Sequence, residues 1–302
     1  MFSPDQYQLL DFGDGRRLER FGPYVFDRPC PTAESIPRED PDTWQQADAR
    51  FDRTEGDEGR WTCRRELPER WTISYGRFVL ELKRTDFGHL GVFPEQAENW
   101  EWLMWGRLPI CQTQTSNSSD DWQVGNLPHM RVLNLFAYTG GATLAAAAAG
   151  AEVVHVDSAK NTVVWARRNA GLSGLAEAPI RWIAEDAIKF VKRELRRGNR
   201  YDAVVLDPPS YGHGLHGEVW RLSKHLPRLL ELCAELTEGR RQFMLLTCHT
   251  PGFGPERLTE MMAGALGGAD QGSITARQLT LRSATGRELP SGVVVQWEES
   301  DP

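Results

Sequence analysis

The sequence contains no long apolar run. The longest, LAAAAA at 144–149, falls far short of the roughly 20 residues that a membrane-crossing helix needs. Its opening, MFSPDQYQLLDFGDG, lacks a basic stretch followed by an apolar core, so no secretory signal is expected. Both absences point to a soluble, cytoplasmic protein with no membrane role. Cysteine is scarce and unpaired: Cys30, Cys63, Cys111, Cys233 and Cys248 are odd in number and form no C-x-x-C pair. That pattern argues against a disulfide framework and against structural zinc, and no metal is expected. Positive charge is also in deficit, at a formal net −7. A protein that is basic as a whole is thereby excluded, although a local basic face can sit on an acidic molecule. Arg64 with Arg65, Lys83 with Arg84, Arg167 with Arg168, and residues 192–200 are candidates for such a face or for plain solvated surface. There is no internal repeat and no sign that fixes the oligomeric state.

What is present divides into three stretches. Residues 1–95 are rich in Arg, Asp, Glu and aromatics with broken strand patterns, and read as a small β-rich domain. In its clearest segment, WTISYGRFVLELKRT, Phe78, Leu80 and Leu82 share one face and Glu81 and Lys83 the other. The charged segment 48–60 is expected to be an exposed loop. Residues 96–128 read as a helix (96–106, with Trp100, Leu103 and Met104 at helical spacing) followed by a polar linker, QTQTSNSSDD at 112–121. Residues 129–302 then alternate. Apolar runs at 132–136, 153–156, 180–183, 203–206 and 243–246 are separated by helical patterns at 141–149, 159–170, 187–197 and 218–236. Strands buried on both faces and alternating with helices form a parallel sheet between helical layers. A further helix at 256–266 and strands at 273–281 and 293–297 add a terminal antiparallel hairpin. The expected fold class is α/β: a Rossmann-like sheet of seven strands with a small N-terminal β-rich domain.

The turn after the first of these strands reads Phe136-Ala137-Tyr138-Thr139-Gly140-Gly141. Glycine lets the backbone approach a ligand, and the helix that follows opens with free N–H groups. A tight turn with no ligand is the plainer reading. Asp157-Ser158 ends the second strand, where a carboxylate can accept both hydroxyls of a ribose. Asp186-Ala187 follows the third, where an acceptor can take the exocyclic amine of adenine. Either acid can instead be a helix N-cap. The loop lacks G-x-G-x-x-G and offers few donors for a pyrophosphate, so S-adenosyl-L-methionine is the expected cofactor rather than a nicotinamide dinucleotide.

The fourth strand ends in Asp207-Pro208-Pro209-Ser210-Tyr211. A carboxylate followed by a rigid turn with free carbonyls can hold the edge of a planar base while an aromatic, Tyr211, stacks on it. His213 and His216 lack a third ligand and read as surface residues. The fifth strand ends in Thr247-Cys248-His249. Cys248 is either a thiol that attacks a pyrimidine or a small buried hydrophobe.

The stretch from NLFAYTGG through VDSAKN and DAVVLDPPSYG to LLTC, within residues 89–250, resembles the class I methyltransferases that form 5-methylcytosine in large-subunit ribosomal RNA. The segment GVFPEQAENWEWL resembles the part of that family in which residues reach over the cofactor, which implies roles for Phe93 and Glu95. The resemblance implies that Phe136, Tyr138, Thr139, Asp157 and Asp186 contact the cofactor and that Asp207 lies at the transfer site. Ser210 stands where methylators of amino groups carry an aromatic. Three functions follow as expectations: methylation of cytosine C5 in ribosomal RNA, with Cys248 as nucleophile and Asp207 on the N3/N4 edge; methylation of an amino group with Cys248 a bystander; or a non-catalytic module that binds the cofactor.

Overall fold

Two groups of strands with different patterning build two compact units. The computed structural model describes residues 2–54, 58–107, 130–213, 219–267 and 272–300. The polar segment 112–121, Cys111 and His216 lie outside the described residues.

The N-terminal unit comprises residues 1–98 together with 168–173 and 278–292. Its main sheet is β1 (Tyr7–Gly13), β2 (Arg16–Phe21), β3 (Tyr24–Pro29), β4 (Ala49–Arg53) and β5 (Gly59–Cys63), in that order. A hairpin of β6 (Arg70–Tyr75) and β7 (Phe78–Lys83) forms a second sheet. The expected loop at 48–60 is corrected here, because β4 and β5 occupy most of it. Its charges pair across strands: Asp52 meets Arg16 of β2 at 3.2 Å, and Arg50 meets Asp27 of β3 at 3.4 Å. Phe51 fills the opposite, buried face. Charge density alone misled the reading, since alternation with a buried aromatic marks a strand. Glu81 lies on the face opposite Phe78, Leu80 and Leu82, as the alternation predicts, and that face is covered as well. Its side chain is 3% exposed and holds Arg70 at 2.6 Å and Arg168 at 2.7 Å.

The second unit comprises 99–167, 174–277 and 293–302. Its sheet carries five parallel strands: β8 (Arg131–Leu135), β9 (Glu152–Asp157), β10 (Ile180–Ala184), β11 (Ala203–Leu206) and β14 (Phe243–Cys248). The strands β15 (Gly272–Arg282) and β16 (Glu288–Glu299) complete it, β16 running antiparallel to β14. The order is β10-β9-β8-β11-β14-β16-β15. The expected α/β class, the seven-stranded sheet and the N-terminal β-rich region are all present. The helices are α1 (Ala97–Glu101), α2 (Gly141–Ala148), α3 (Lys160–Leu172), α4 (Ala187–Arg196), α5 (Leu222–Thr237) and α6 (Pro255–Leu266). Val204, Leu206, Met244 and Leu246 on the sheet pack with Phe190, Leu226, Leu229 and Leu258 into one apolar cluster.

Two helix boundaries differ from the sequence pattern. The helix expected from 96 continues beyond α1 as a π-helical turn, Trp102–Arg107. The helix expected from 218 begins only at Leu222, because Val219–Arg221 forms β13, which pairs with β12 (Tyr211–His213). Among the described residues, no helix is long and apolar enough to cross a membrane.

Candidate active site

Strand order reverses at β8, with β9 on one side and β11 on the other, and the loop after β8 opens at that point. The loop is strained. Phe136 (φ 55°), Tyr138 (φ 48°) and Gly140 (φ 94°) all lie in the left-handed region, which costs non-glycine residues on the order of 1 kcal/mol each. Hydrogen bonds hold it there. Ala137 N–H donates to Val156 O at 3.1 Å, and Tyr138 N–H donates to Asp157 Oδ2 at 2.9 Å. Thr139 is buried. Glycine is required at both positions that enter α2. A Cβ on Gly140 would meet that of Ala166 at 3.2 Å, and one on Gly141 would lie 2.4 Å from the Trp100 ring.

A buried polar network supports the loop from below. Asn134 donates to Thr143 Oγ1 at 2.9 Å, and that hydroxyl is 2.9 Å from Nδ1 of His155. His155 is fully buried, its Nε2 has no hydrogen-bond partner among the described residues, and burial pulls its pKa down to about 3. The ring is therefore neutral at physiological pH. Strands β8 and β9 are thus tied to the start of α2, directly under the strained turn.

Asp157 has two duties. Besides bracing Tyr138 it accepts Ala159 N–H at 2.9 Å, and it lines a cleft of about 380 Å³, counting the space open to solvent. Burial raises its pKa, partly offset by the two N–H donors. Asp186 caps α4 by accepting Lys189 N–H at 2.9 Å. Both sequence alternatives, cap and ligand acceptor, are therefore compatible in the same side chain. The cleft is lined by Phe136, Val156, Asp157, Ser158, Glu185, Asp186, Ala187, Pro209, Gly212 and Trp220. Among the described residues it gathers three carboxylates and neither Lys nor Arg. That set of acceptors suits a nucleoside with a cationic sulfonium and disfavours a pyrophosphate.

Trp220, Glu185 and Gly212 were not legible as site residues. Trp220 sits in the charged sequence HGEVWRLSKH, which the pattern reads as helix, and its isolation as the single aromatic there is the one available signal. On the strand β13 it packs against Phe136 with centroids 4.8 Å apart and donates from Nε1 to Pro209 O at 2.6 Å. Phe93 and Glu95 belong to the N-terminal unit. Glu95 is 8% exposed, and its Oε2 has no hydrogen-bond partner among the described residues.

The strand tips beyond the cleft carry Asp207, Thr247 and Cys248. Leu206 and Leu246 are in register, so Asp207 emerges beside Thr247, whose hydroxyl donates to Asp207 Oδ1 at 2.5 Å. His249 Nε2 approaches the same oxygen at 3.4 Å. The Ser210 and Thr250 hydroxyls, 2.7 Å apart, tie the two following turns together. Pro208 holds the turn between them rigid. Cys248 is 1% exposed within the apolar cluster. Burial pushes its thiol up, Thr250 offsets part of that rise, and the charge of Asp207 adds to it. Tyr211 is 47% exposed on β12. No group of three or more His, Cys, Asp or Glu among the described residues could hold a metal.

A strained loop at the strand-order reversal and an acid after each of the next two strands give the cleft the form of a nucleoside site at the carboxyl edge of a parallel sheet. The chain belongs to the family of S-adenosylmethionine-dependent methyltransferases, whose model matches residues 117–267. It is an enzyme, and its cofactor is S-adenosyl-L-methionine. The S-adenosylmethionine-dependent methyltransferase from Agrobacterium tumefaciens is 39% identical, with a TM-score of 0.85 over 98% of this chain and 91% of that one. Ribosomal RNA large subunit methyltransferase I of Aeromonas hydrophila is 42% identical over 82 residues, which are 27% of this chain and 21% of the relative. Ribosomal RNA large subunit methyltransferase K of Neisseria meningitidis is 36% identical over 84 residues, 28% of this chain and 24% of the relative. The chain thus spans between a fifth and a quarter of the curated relatives it matches.

Proposed function

We propose that the enzyme methylates C5 of cytosine in RNA, with ribosomal RNA as the substrate. The observation that carries this reading is the juxtaposition of Asp207 and Cys248 on neighbouring, in-register strand tips, with Thr247 fixing the carboxylate. The cofactor cleft is held by Asp157, Asp186, Phe136 and Trp220, and S-adenosylmethionine supplies an electrophilic methyl group when bound there.

The chain's own residues then do the following. The Cys248 thiol gives its proton to Asp207 as sulfur bonds to C6 of the base. Asp207 passes that proton to N3, and the C5=C6 electron pair becomes an enamine that is nucleophilic at C5. After the methyl group has joined C5, the C5 proton leaves to solvent and the Sγ–C6 bond breaks. The N3 proton returns through Asp207 to the thiolate. Neutralising Asp207 on the base also removes the charge that helps keep the thiol protonated. Holding donor and acceptor together supplies orientation.

The burial of Cys248, and its raised pKa, favour a second reading in which the thiol is a bystander and an amino group is methylated. In that case Asp207 and the Pro208 carbonyl orient the amine, the Pro209 carbonyl being engaged by Trp220. Trapping separates the two. RNA containing 5-fluorocytidine is expected to form a covalent complex with the wild type and none with Cys248→Ser, since fluorine blocks the final elimination. An active serine variant would retire the C5 reading in favour of the amine.

A further inference from the structure

The β12–β13 ribbon follows directly from the catalytic turn, and its two faces differ. Its register pairs Tyr211 with Arg221, Gly212 with Trp220 and His213 with Val219. Gly212 and Trp220 line the cofactor cleft, so by strand alternation Tyr211, Val219 and Arg221 face the other way. That outer face is open: Tyr211 is 47% and Val219 42% exposed, among the most exposed large apolar side chains described. Exposed aromatics cost solvation free energy and mark contact surfaces when they cluster with complementary groups.

The complementary groups are cationic. Arg221 caps the start of α5, and Lys224 and Arg228 continue along its exposed side at i+3 and i+7, so the three form one ridge. Arg228 is neutralised by Glu231 at 2.7 Å. Among the described residues, neither Arg221 nor Lys224 has an acidic partner. Two uncompensated cations beside an exposed phenol, on a chain of net charge −7, run against the average of the molecule. A flat ring flanked by cations spaced about one helical turn apart matches a single strand of nucleic acid, which offers a base face and successive phosphates.

We infer that this outer face carries the RNA strand that flanks the target nucleotide. Tyr211 stacks on a neighbouring base and Arg221 and Lys224 contact phosphates, while Trp220 on the inner face closes the cofactor cleft. The inference rests on the RNA reading of the substrate. It assigns Tyr211 to the flanking strand rather than to the base being methylated.

Fluorescence anisotropy with labelled single-stranded RNA 20-mers of mixed sequence, in the presence of S-adenosylhomocysteine, tests it. Tyr211→Ala is expected to weaken binding by roughly ten-fold or more, the scale of one lost base–aromatic stack. The double variant Arg221→Ala/Lys224→Ala is expected to lower the slope of log K against log salt by about 1.4, for two lost phosphate contacts. Arg53→Ala/Arg60→Ala removes equal charge elsewhere and is expected to leave that slope in place. All variants are expected to bind S-adenosylhomocysteine as the wild type does in calorimetry. Wild-type affinity and slope in the ribbon variants, while the parent binds RNA, would overturn the surface alone. A parent enzyme without affinity for RNA would overturn the RNA reading and this inference together.

Discussion

The indole of Trp220 donates to the carbonyl of Pro209 at 2.6 Å while its ring packs against Phe136 in the strained loop. One side chain therefore links the loop after β8 to the turn after β11. The two contacts can be separated by substitution. Trp220→Phe keeps an aromatic wall but strands the carbonyl, and is expected to lower kcat with little change in cofactor affinity. Trp220→Ala removes both and is expected to weaken cofactor binding as well. Stopped turnover assays with parallel calorimetry distinguish the two; identical effects of Phe and Ala would place the indole's role in packing alone.

Asp157 is expected to anchor the ribose of the cofactor. Asp157→Ala should weaken S-adenosylhomocysteine binding by about 1–3 kcal/mol, the range for hydrogen bonds to a charged acceptor. Because burial raises its pKa, protonation begins above the ordinary carboxylate range of about 3.9. Affinity is expected to fall as pH drops through that raised value, and the variant's affinity to show a flatter pH profile. Calorimetry between pH 4.5 and pH 7.5 checks both; an unchanged affinity in a folded variant would remove Asp157 from the site.

His155 makes a stability prediction. Its folded pKa lies at about 3 against an ordinary 6.5, so its contribution is fully present above pH 6.5 and is lost as pH falls toward 3. In that window the unfolded chain binds one more proton, which corresponds to a slope of about 1.4 kcal/mol per pH unit. His155→Gln is expected to be less stable at pH 7, where the network with Thr143 is disturbed, and to lose most of that slope. Thermal or urea unfolding across the window reads the sign directly.

How much of this was legible in the sequence depended on whether the signal was local. The loop at 136–141, Asp157, Asp186 and Asp207 stand at strand ends, where an apolar run stops and a polar residue begins, and the sheet follows from alternation. Trp220 was hidden because its role depends on a two-strand ribbon that pairs residues across an intervening segment, and the charged surroundings imitated a helical face. Residues 48–60 failed for the opposite reason: their charges are neutralised by Arg16 and Asp27 from distant strands, which no window around 48–60 contains. The buried partner of Glu81, Asn169, likewise comes from a segment 88 residues away.

The chain order of the two units bears on truncation. Residues 278–292 and 168–173 group with the N-terminal unit, and Leu279, Leu281, Leu289 and Asn169 within them are buried there. A fragment of residues 129–302 removes their partners. It is expected to unfold at lower temperature and to aggregate, with a loss of several kcal/mol for three exposed leucines. Scanning calorimetry of fragment and full chain checks this, and a fragment as stable as the parent would establish 129–302 as an independent domain.

The most direct test of the central claim is nucleoside mass spectrometry after transfer from methyl-labelled S-adenosylmethionine. Bulk ribosomal RNA from cells lacking the enzyme is incubated with the purified chain, digested and resolved into nucleosides. The predicted result is label in 5-methylcytidine, absent with Asp207→Asn and with Cys248→Ser. Label confined to an N-methylated nucleoside would move the chemistry to an amino group, and no label in any nucleoside, from an enzyme that binds the cofactor, would contradict RNA base methylation.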